Sequence, residues 1–403
     1  MRVTFLNTGA SLGGAERSLL DLLASLRGSS PGTHLSLVLG EEGPLEREAR
    51  GIGVETRILP FPDSLARLGD STISGLQGRL GLAAKAIGAG LDAGRYLRGL
   101  AKTLDELGPD LVHSNTIKLH LFTALANRRQ RPLVWHVRDM IGLRPVAGRA
   151  LRWASSHAAL AFVISRAVAE DARATLGALP LELLYDAIDT TRFAPSPGDG
   201  AKLDAVCGLP PGDGSVVRIG LVAAFAMWKG HETFLEAASR VPDLRVRFYV
   251  IGGPIYTTQA QVSESTLREK ATSLGIAARV GWSGFRDDVA EVYRALDIVV
   301  HASTRPEPFG RTIVEAMACG RAVIVSRGGG AAELFEEERE AIGFEPGSAA
   351  DLARAMTRLA GDPSERQRLG TRARTSAVER FSRERLAPAV MRTYERLLGS
   401  GDA

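Results

Sequence analysis

The feature that most constrains this chain is an alternation of short runs rich in Val, Ile and Leu with stretches of helical periodicity. Runs that are apolar on both faces are typical of buried parallel strands. Repeated strand–helix alternation predicts an α/β fold with doubly wound parallel sheets. The runs that we predict to be strands are Val3–Leu6, Leu35–Leu39, Val54–Ile58, Leu111–His113, Leu133–Val137, Leu160–Ile164, Val216–Leu221, Val246–Ile251, Ile298–His301 and Ala322–Val325.

The alternation breaks once, and the break divides the chain. Pro195–Asp213 is rich in Pro, Gly, Asp and Ser, a composition that is typical of a linker. The chain of 403 residues is long enough for two domains. We therefore predict an N-terminal domain over 1–192, a linker over 193–213 and a C-terminal domain over 214–382.

Composition excludes several classes of protein. Hydrophobic residues make up 45% and charged residues 24% of the chain, values that exclude disorder, collagen and coiled coil as descriptions of the whole. The two cysteines, Cys207 and Cys319, are far apart in sequence. We therefore exclude a disulfide framework and a cysteine-based metal site, and we favour a reducing compartment.

Positive charge is concentrated in the first half of the chain. Residues 57–173 contain 17 Lys and Arg against 9 Asp and Glu, which indicates either a solvated basic surface or a face for phosphates or an anionic membrane. The Gly-rich stretch 64–107 predicts either one long surface helix or a basic segment that lies on a membrane or covers an acceptor. No run is apolar enough to span a bilayer, and the N-terminus is predicted to be a strand, not a signal peptide.

The strongest chemical signal follows the predicted strand Ile298–His301. It contains two carboxylates, Glu307 and Glu315, and two prolines that delay the start of a helix. The helix is predicted to begin near Gly310–Thr312, where its free N–H groups attract anions, and to end at Gly320. This pattern at the carboxyl end of a strand matches a sugar nucleotide. The alternative is an acidic loop followed by a capping Glu.

Three further motifs lie at predicted strand ends. Lys229 is placed to meet a phosphate as a point charge. The turn that contains Gly13 and Gly14 lets the backbone approach an anion, although it matches neither the dinucleotide-binding nor the Walker pattern. His136 and His113 each end a strand in the first half. For both histidines, the alternative is a purely structural role.

Together these residues resemble the GT-B glycosyltransferases, specifically the large retaining family known as family 4. The most specific mark is the spacing of seven residues between Glu307 and Glu315, and the Trp-Lys-Gly-His sequence around Lys229 supports it. The resemblance covers nearly the whole chain. It implies two Rossmann-like domains that face each other across a cleft, with a C-terminal helix at about 383–403 that packs back on the first domain.

The resemblance also implies roles for the candidate residues. The C-terminal domain is expected to bind the nucleotide-sugar, with Lys229 on the diphosphate, Glu315 on the ribose and Glu307 on the transferred sugar. The residues with an implied catalytic role are Glu307, His136 and Lys229. Those implied to bind the donor are Lys229, Glu307, Phe309, Gly310, Arg311, Thr312, Glu315, Gly13 and Gly14. Those assigned to the acceptor side, in the N-terminal domain, are Arg138, Asp139 and His113.

The function that this resemblance implies is retaining transfer of a sugar from a nucleoside-diphosphate sugar, such as a UDP- or GDP-sugar, to an acceptor hydroxyl. A sugar or lipid-linked acceptor is expected, as in the synthesis of cell-envelope polysaccharide, glycolipid or a related glycoconjugate. No metal, cofactor or nucleic-acid partner is expected. A cytoplasmic location is expected, and peripheral contact with the inner face of an anionic membrane is a further hypothesis.

Three positions depart from the family pattern. Ala224 stands where an Arg is usual, Gly252–Pro254 lacks the usual acid, and Asp186 replaces a common Asn. The first change removes half of the expected diphosphate clamp, and Arg311, or else Arg138, is the candidate to replace it. Two alternatives stay open: a catalytically impaired nucleotide-sugar-binding protein, and a GT-B sugar-nucleotide epimerase or hydrolase.

Overall fold

The computed structural model describes residues 1–66, 79–254 and 261–399, and for residues 79–88 it describes the backbone alone. The chain divides into two compact units. Unit 1 comprises Met1–Ala187 and Arg383–Ala403, and unit 2 comprises Ile188–Ser382. Each unit is built around one parallel sheet, which confirms the predicted α/β class with two Rossmann-like domains.

Unit 1 contains a seven-stranded sheet in the order β3-β2-β1-β4-β5-β6-β7. Its inner strands are buried along nearly their whole length, as expected for strands that are covered on both faces. The strands are β1 Arg2–Asn7, β2 His34–Leu39, β3 Glu55–Ile58, β4 Leu111–Ser114, β5 Leu133–Val137, β6 Leu160–Val163 and β7 Leu181–Leu183. The helices are α1 Gly14–Ser29, α2 Pro44–Gly51, α3 Asp63–Ala66, α4 Arg79–Leu107, α5 Ile117–Ala126, α6 Pro145–Ala154, α7 Arg166–Leu176 and the C-terminal α15 Leu386–Gly399.

Helix α15 belongs to unit 1 although it follows the last helix of unit 2 in sequence. Its apolar residues Val390 and Tyr394 join the hydrophobic core of unit 1. The backbone N–H of Ala387 donates to Ser25 Oγ at 3.0 Å, and Thr393 Oγ1 donates to Glu182 at 2.6 Å. The final helix therefore packs on the first sheet's unit, as the resemblance implied.

Unit 2 contains a six-stranded sheet in the order β10-β9-β8-β11-β12-β13. The strands are β8 Val217–Val222, β9 Val246–Ile251, β10 Val280–Ser283, β11 Ile298–His301, β12 Ala322–Ser326 and β13 Ile342–Phe344. The helices are α8 Gly200–Val206, α9 His231–Ala238, α10 Glu264–Ser273, α11 Val289–Ala295, α12 Arg311–Ala318, α13 Ala349–Gly361 and α14 Pro363–Phe381. All neighbouring strands in this sheet are parallel.

The segment predicted as a linker, 193–213, is instead part of unit 2 and contains α8. Asp199 caps this helix, because its side chain accepts from the N–H of Lys202. Asp204, fully buried on α8, accepts from Arg218 Nε at 3.0 Å and from the hydroxyl of Tyr249. The prolines and glycines therefore flank a helix that packs in unit 2. The N-terminal stretch of unit 1 ends at Ala187 rather than at residue 192.

The Gly-rich stretch 64–107 forms the long helix α4 from Arg79 onward. Residues 67–78, which carry part of the hypothesised membrane segment, lie outside the described residues. Within the described ranges, no helix is both long enough and apolar enough to cross a membrane.

Candidate functional site

The loop between β11 and α12 shapes the first half of the site. Gly310 has φ +117° and Gly320 has φ +70°, backbone conformations that L side chains rarely adopt. They flank α12 at its two ends, Arg311 and Ala318. The predicted start and the glycine that ends the helix are therefore confirmed.

A glycine-rich loop holds the backbone of Glu307 in place. The N–H of Gly330 donates to the carbonyl of Glu307 at 2.7 Å, and Glu307 forms a parallel bridge with Gly329. Gly329 has φ +63°, and a Cβ there would lie 2.5 Å from the Glu307 carbonyl oxygen. Only glycine allows this approach, so the loop after β12 determines where the Glu307 carboxylate lies.

Glu307 is 8% exposed, and its carboxylate faces three polar groups. Lys229 Nζ lies 2.6 Å from its Oε1, the hydroxyl of Ser303 donates to the same oxygen, and His301 Nε2 lies 3.8 Å away. Burial acts to raise the pKa of Glu307, but the charge of Lys229 and the contact with His301 outweigh it and hold that pKa below the ordinary carboxyl value. Glu307 is therefore ionised at neutral pH.

Lys229 is brought to Glu307 by a close contact between two loops. The next residue, Gly230, has φ +73°, and a Cβ there would lie 1.8 Å from the carbonyl oxygen of Ala302. The N–H of Thr304 donates to the carbonyl of Trp228 at 2.8 Å. The sequence Trp-Lys-Gly-His therefore places a lysine against the end of β11, because only glycine fits after it.

Glu315 is held on the first turns of α12 by two donors. Tyr293 donates its hydroxyl to Glu315 Oε2 at 3.1 Å, and Arg311 Nε lies 2.8 Å from Oε1. Arg311 thus pairs with an acid on its own helix face, four residues further on. The Phe309 side chain is buried and packs edge-on against Phe381, with 5.9 Å between ring centroids. A donor contact by Phe309 is therefore open only to its backbone.

In unit 1, the glycine turn ends at the N-terminus of α1. Gly13 occupies the N-cap position, and no side chain caps the helix there. A Cβ on Gly13 would lie 2.8 Å from a carboxylate oxygen of Glu16, whose Oε1 also accepts from Asn7 Nδ2 at 3.3 Å. The N–H groups that follow Gly14 form a positive helix end, although the Glu16 carboxylate already lies beside it.

The histidines predicted for unit 1 form a buried cluster. His113 Nε2 lies 3.2 Å from His136 Nδ1, and His113 Nδ1 lies 2.5 Å from the hydroxyl of Tyr394. Burial, then the charge of Arg138, hold the pKa values of both histidines well below the usual range. His113 was expected to contact the acceptor substrate. It is instead fully buried, and its ring nitrogens contact Tyr394 and His136.

Of the other residues expected on the acceptor side, one is buried and one is exposed. Arg138 pairs with Asp186, and its Nε donates to Asn115 Oδ1 at 2.8 Å. Asp139 is exposed. Asp186, where the resemblance implies an Asn, thus gives a buried arginine its counter-ion, because a carboxylate neutralises a guanidinium and an amide does not.

Sequence reasoning missed the side chains that orient the predicted ones. They are Ser303 and Tyr293, which donate to Glu307 and Glu315, the loop Gly328–Gly330, and Tyr394 on α15. On its own, the run Gly328–Gly330 predicts no more than a turn. Its spacing after β12, the strand next to β11, was the available signal that it meets the Glu307 loop.

Comparisons of the sequence identify relatives of both units. The model "Glycosyl transferases group 1" matches residues 216–376, and the model "Glycosyl transferase 4-like domain" matches residues 13–184. LpsE, a lipopolysaccharide core biosynthesis glycosyltransferase of Rhizobium meliloti, is 32% identical over 202 residues, 50% of this chain and 53% of that protein. A 2-deoxystreptamine glucosyltransferase of Streptomyces kanamyceticus is 27% identical over 72% of this chain and 70% of its own length. The chain spans about half the length of LpsE and of several other curated relatives.

Solved structures match over nearly the whole chain. HepE of Anabaena in complex with UDP-glucose has a TM-score of 0.79 and 25% identity, and the match covers 98% of this chain and 100% of that one. WaaG, a glycosyltransferase involved in lipopolysaccharide biosynthesis, has a TM-score of 0.65 at 16% identity, with 96% of this chain and 98% of that one covered. The likeness to WaaG shows the fold. With one family model on each unit and this shared architecture, the chain belongs to the GT-B glycosyltransferases of group 1.

Proposed function

We propose that this protein transfers a sugar from a nucleoside-diphosphate sugar to an acceptor hydroxyl, with retention of the anomeric configuration. The observation that carries the proposal is the Glu307 carboxylate, ionised and bound to Lys229 Nζ at 2.6 Å beside the N-terminus of α12. A lysine and a helix N-terminus suit a diphosphate. The carboxylates Glu307 and Glu315 suit the hydroxyls of a sugar and a ribose. Unit 2 is the donor-binding unit in this proposal, and unit 1 binds the acceptor.

The chemistry requires no nucleophile from the protein. The bond between the anomeric carbon and the leaving phosphate oxygen breaks, and the acceptor oxygen bonds to that carbon on the same face. The acceptor proton moves to the leaving diphosphate. Lys229 and the N–H groups at Gly310–Thr312 stabilise the charge that develops on that phosphate, and Glu307 orients the sugar. We propose that this occurs without a metal, and undiminished turnover in EDTA is the expected result.

A UDP-sugar is the first donor to test, because HepE was solved with UDP and with UDP-glucose. Thermal-shift measurements with UDP-, GDP- and ADP-sugars identify the nucleotide, since a ligand of the native state raises the melting temperature. Transfer to an acceptor panel then tests the function, and NMR of the product gives its anomeric configuration. Glycoconjugates of the cell envelope are the proposed products, in line with the naming of LpsE.

Ala224 is the one feature that favours a second candidate, a nucleotide-sugar-binding protein with impaired catalysis. It stands where the resemblance leads us to expect an Arg on the diphosphate. Donor binding without turnover on any acceptor would support this candidate. Free or epimerised sugar as the main product from donor alone would instead support the hydrolase or epimerase. Products with inverted anomeric configuration would contradict the retaining mechanism but would still support the proposed sugar transfer.

The proposed location is cytoplasmic, with peripheral contact to an anionic membrane. Among the described residues, the surface around α6 has a suitable composition. Leu143 and Val146 are each 79% exposed and Trp153 is 58% exposed. The exposed Arg149 and Arg152 lie on the same helix. The sequence 140–157 contains no acidic residue. Aromatic and basic side chains together favour the interface of a membrane with negative headgroups.

A further inference from the structure

A continuous line of hydrogen bonds runs through unit 1 from the C-terminal helix to the end of β5. It starts at the Tyr394 hydroxyl, 2.5 Å from His113 Nδ1, and continues from His113 Nε2 to His136 Nδ1 at 3.2 Å. The three side chains are buried, with 2% exposure or less. A buried polar line of this kind is stable only if every donor meets an acceptor, so the positions of its protons are constrained.

Arg138 fixes the direction of the line. Its Nη2 lies 3.3 Å from His136 Nδ1, and a guanidinium can only donate. His136 Nδ1 is therefore an acceptor without a proton. His113 Nε2 faces that same acceptor and must donate to it. A neutral His113 then has an unprotonated Nδ1, which accepts the hydroxyl proton of Tyr394.

This assignment leaves the proton of neutral His136 on Nε2. That atom is buried and has no hydrogen-bond partner among the described residues. An N–H group that is buried without an acceptor is costly, which makes it a candidate to meet a ligand. The titratable and charged groups around the pair are Arg138, Asp186 and His120. Asp186 neutralises Arg138, and burial lowers the pKa of His120 to about 3, so no neighbour favours a protonated His136.

We propose that Arg138, His113 and Tyr394 are positioning residues that hold His136 as an Nε2–H donor, so that His136 donates to a sugar oxygen of the substrate and accepts no proton during transfer. The nature of that ligand rests on the proposed function. The tautomer itself does not, because it follows from the contacts of His113, Arg138 and Tyr394 alone. His136 thus differs from a general base in having its free nitrogen already protonated.

The tautomer is tested on the full chain without ligand, by ¹⁵N NMR of labelled histidines. Protonated and unprotonated imidazole nitrogens resonate far apart, and the His136→Gln spectrum assigns the His136 signals. We expect Nε2–H on both His113 and His136. Tyr394→Phe removes the donor to His113 Nδ1, so the signal of that unprotonated nitrogen is expected to shift, while His113 Nε2 keeps its proton because it still faces His136 Nδ1. The control is Tyr96→Phe, another buried tyrosine of unit 1 that contacts Phe61 and Phe122 instead.

Kinetics test the role of the donor. A Gln amide at 136 reproduces an N–H near the position of Nε2 but cannot act as a base. We expect His136→Gln to keep about a tenth of the wild-type kcat or more, and His136→Ala to lose about a hundredfold, as for removal of one preorganised donor. Tyr394→Phe is expected to lower kcat by about tenfold or less with KM little changed.

The outcomes separate this inference from the proposed function. A wild-type His136 with its proton on Nδ1, or equal loss of activity in the Gln and Ala variants, overturns the inference. An acidic limb in the kcat profile that moves in Tyr394→Phe also overturns it, because it would show His136 titrating as a base. If the spectra show Nε2–H but no sugar is transferred to any acceptor, the proposed function fails and the positioning of His136 stands.

Discussion

In unit 2, the polar groups at the carboxyl edge of the sheet are ions paired with one another, whereas in unit 1 they are neutral imidazoles around one compensated arginine. Lys229–Glu307 and Arg311–Glu315 are pairs between groups that the proposed donor itself would need. Arg138–Asp186 in unit 1 is buried, and its arginine contacts His136 and Asn115. Two sheets of the same architecture therefore have different electrostatic environments at their carboxyl edges: exchangeable ion pairs in unit 2 and neutral hydrogen-bonded histidines in unit 1.

The difference lies in what a ligand must displace. A diphosphate that binds Lys229 competes with Glu307, and one that binds Arg311 competes with Glu315, so binding in unit 2 exchanges ion pairs. In unit 1, nothing has to move for His136 to donate, because Tyr394 and His113 already fix its orientation. We therefore expect substitutions at the ion pairs of unit 2 to change donor affinity and the pH dependence of stability. Substitutions in the histidine line of unit 1 should change mainly the turnover number.

Glu307→Ala is expected to have the largest effect in unit 2. It removes the acceptor proposed for a sugar hydroxyl and takes the carboxylate partner from Lys229. Turnover should fall by tenfold to a hundredfold, since a hydrogen bond to a charged group contributes about 1.5–3 kcal/mol. Donor affinity should change less. Kinetics with varied donor separate the two.

The matched control for this variant is Glu291→Ala. Glu291 is also in unit 2, but its carboxylate is on a side chain that is 59% exposed, and its partner Arg294 keeps two backbone acceptors without it. Such a pair contributes little, so activity is expected to stay at the wild-type level. Wild-type turnover in Glu307→Ala would contradict the assignment of the donor site.

Lys229→Met tests the ionic character of the same site. Lys229 is a main cause of the lowered pKa of Glu307, so without it the buried carboxyl should titrate at higher pH. In the wild type, the pKa of Glu307 is lower in the folded state than in the unfolded state. Ionised Glu307 therefore stabilises the folded state at pH values above its unfolded-state pKa. This stabilisation is lost as the pH falls through the folded-state pKa. The variant should lose that contribution near neutral pH, at a cost of up to about 3 kcal/mol, the lower end for a broken buried pair. Chemical denaturation at several pH values measures it.

The same denaturation curves contain the outcome that would contradict this prediction. If the stability of Lys229→Met follows the same pH dependence as the wild type, Glu307 is not held ionised by Lys229. The contrast with unit 1 would then be weaker than the contacts indicate.

The sequence predicted the architecture well because strand periodicity and helix ends are local properties. Val216–Leu221 and Ile298–His301 are β8 and β11 to within a residue. The side chains around the site were less predictable. Tyr394 is 281 residues from His113, and no pattern in the sequence indicates that they touch. Similarly, Pro195–Asp213 has the composition of a linker, and its packing depends on contacts of Asp204 with Arg218 and Tyr249, which are distant in sequence.

Glu315→Ala and Arg311→Ala sharpen the comparison at the level of donor binding. Glu315→Ala is expected to raise the donor dissociation constant by about tenfold, since it removes the acceptor proposed for the ribose. Arg311→Ala should raise it to a similar extent if Arg311 moves from Glu315 to the diphosphate. Calorimetry with the donor measures both.

Ala224→Arg decides between the two roles of Arg311. If Arg311 replaces the missing clamp, the double variant Arg311→Ala/Ala224→Arg should bind donor as the wild type does. If Arg311 serves only to hold Glu315, an arginine at 224 will not restore binding. Arg138, the other candidate, is buried and paired with Asp186 in unit 1, so its replacement is expected to destabilise that unit.

The smallest expected effect concerns the surface around α6, which has no counterpart at either sheet edge. Arg149→Gln and Arg152→Gln each remove one exposed charge, and each should weaken sedimentation with acidic vesicles by about fivefold at low salt, about 1 kcal/mol per basic residue near the surface. Trp153→Ser should act through lost insertion and persist at high salt, where the arginine effects are screened. Arg372→Gln, an exposed arginine of unit 2 on α14, is the control and should bind vesicles as the wild type does. Equal binding to neutral and acidic vesicles, or an equal loss in the control, would show that this face is ordinary solvated surface and that any membrane contact lies elsewhere in the chain.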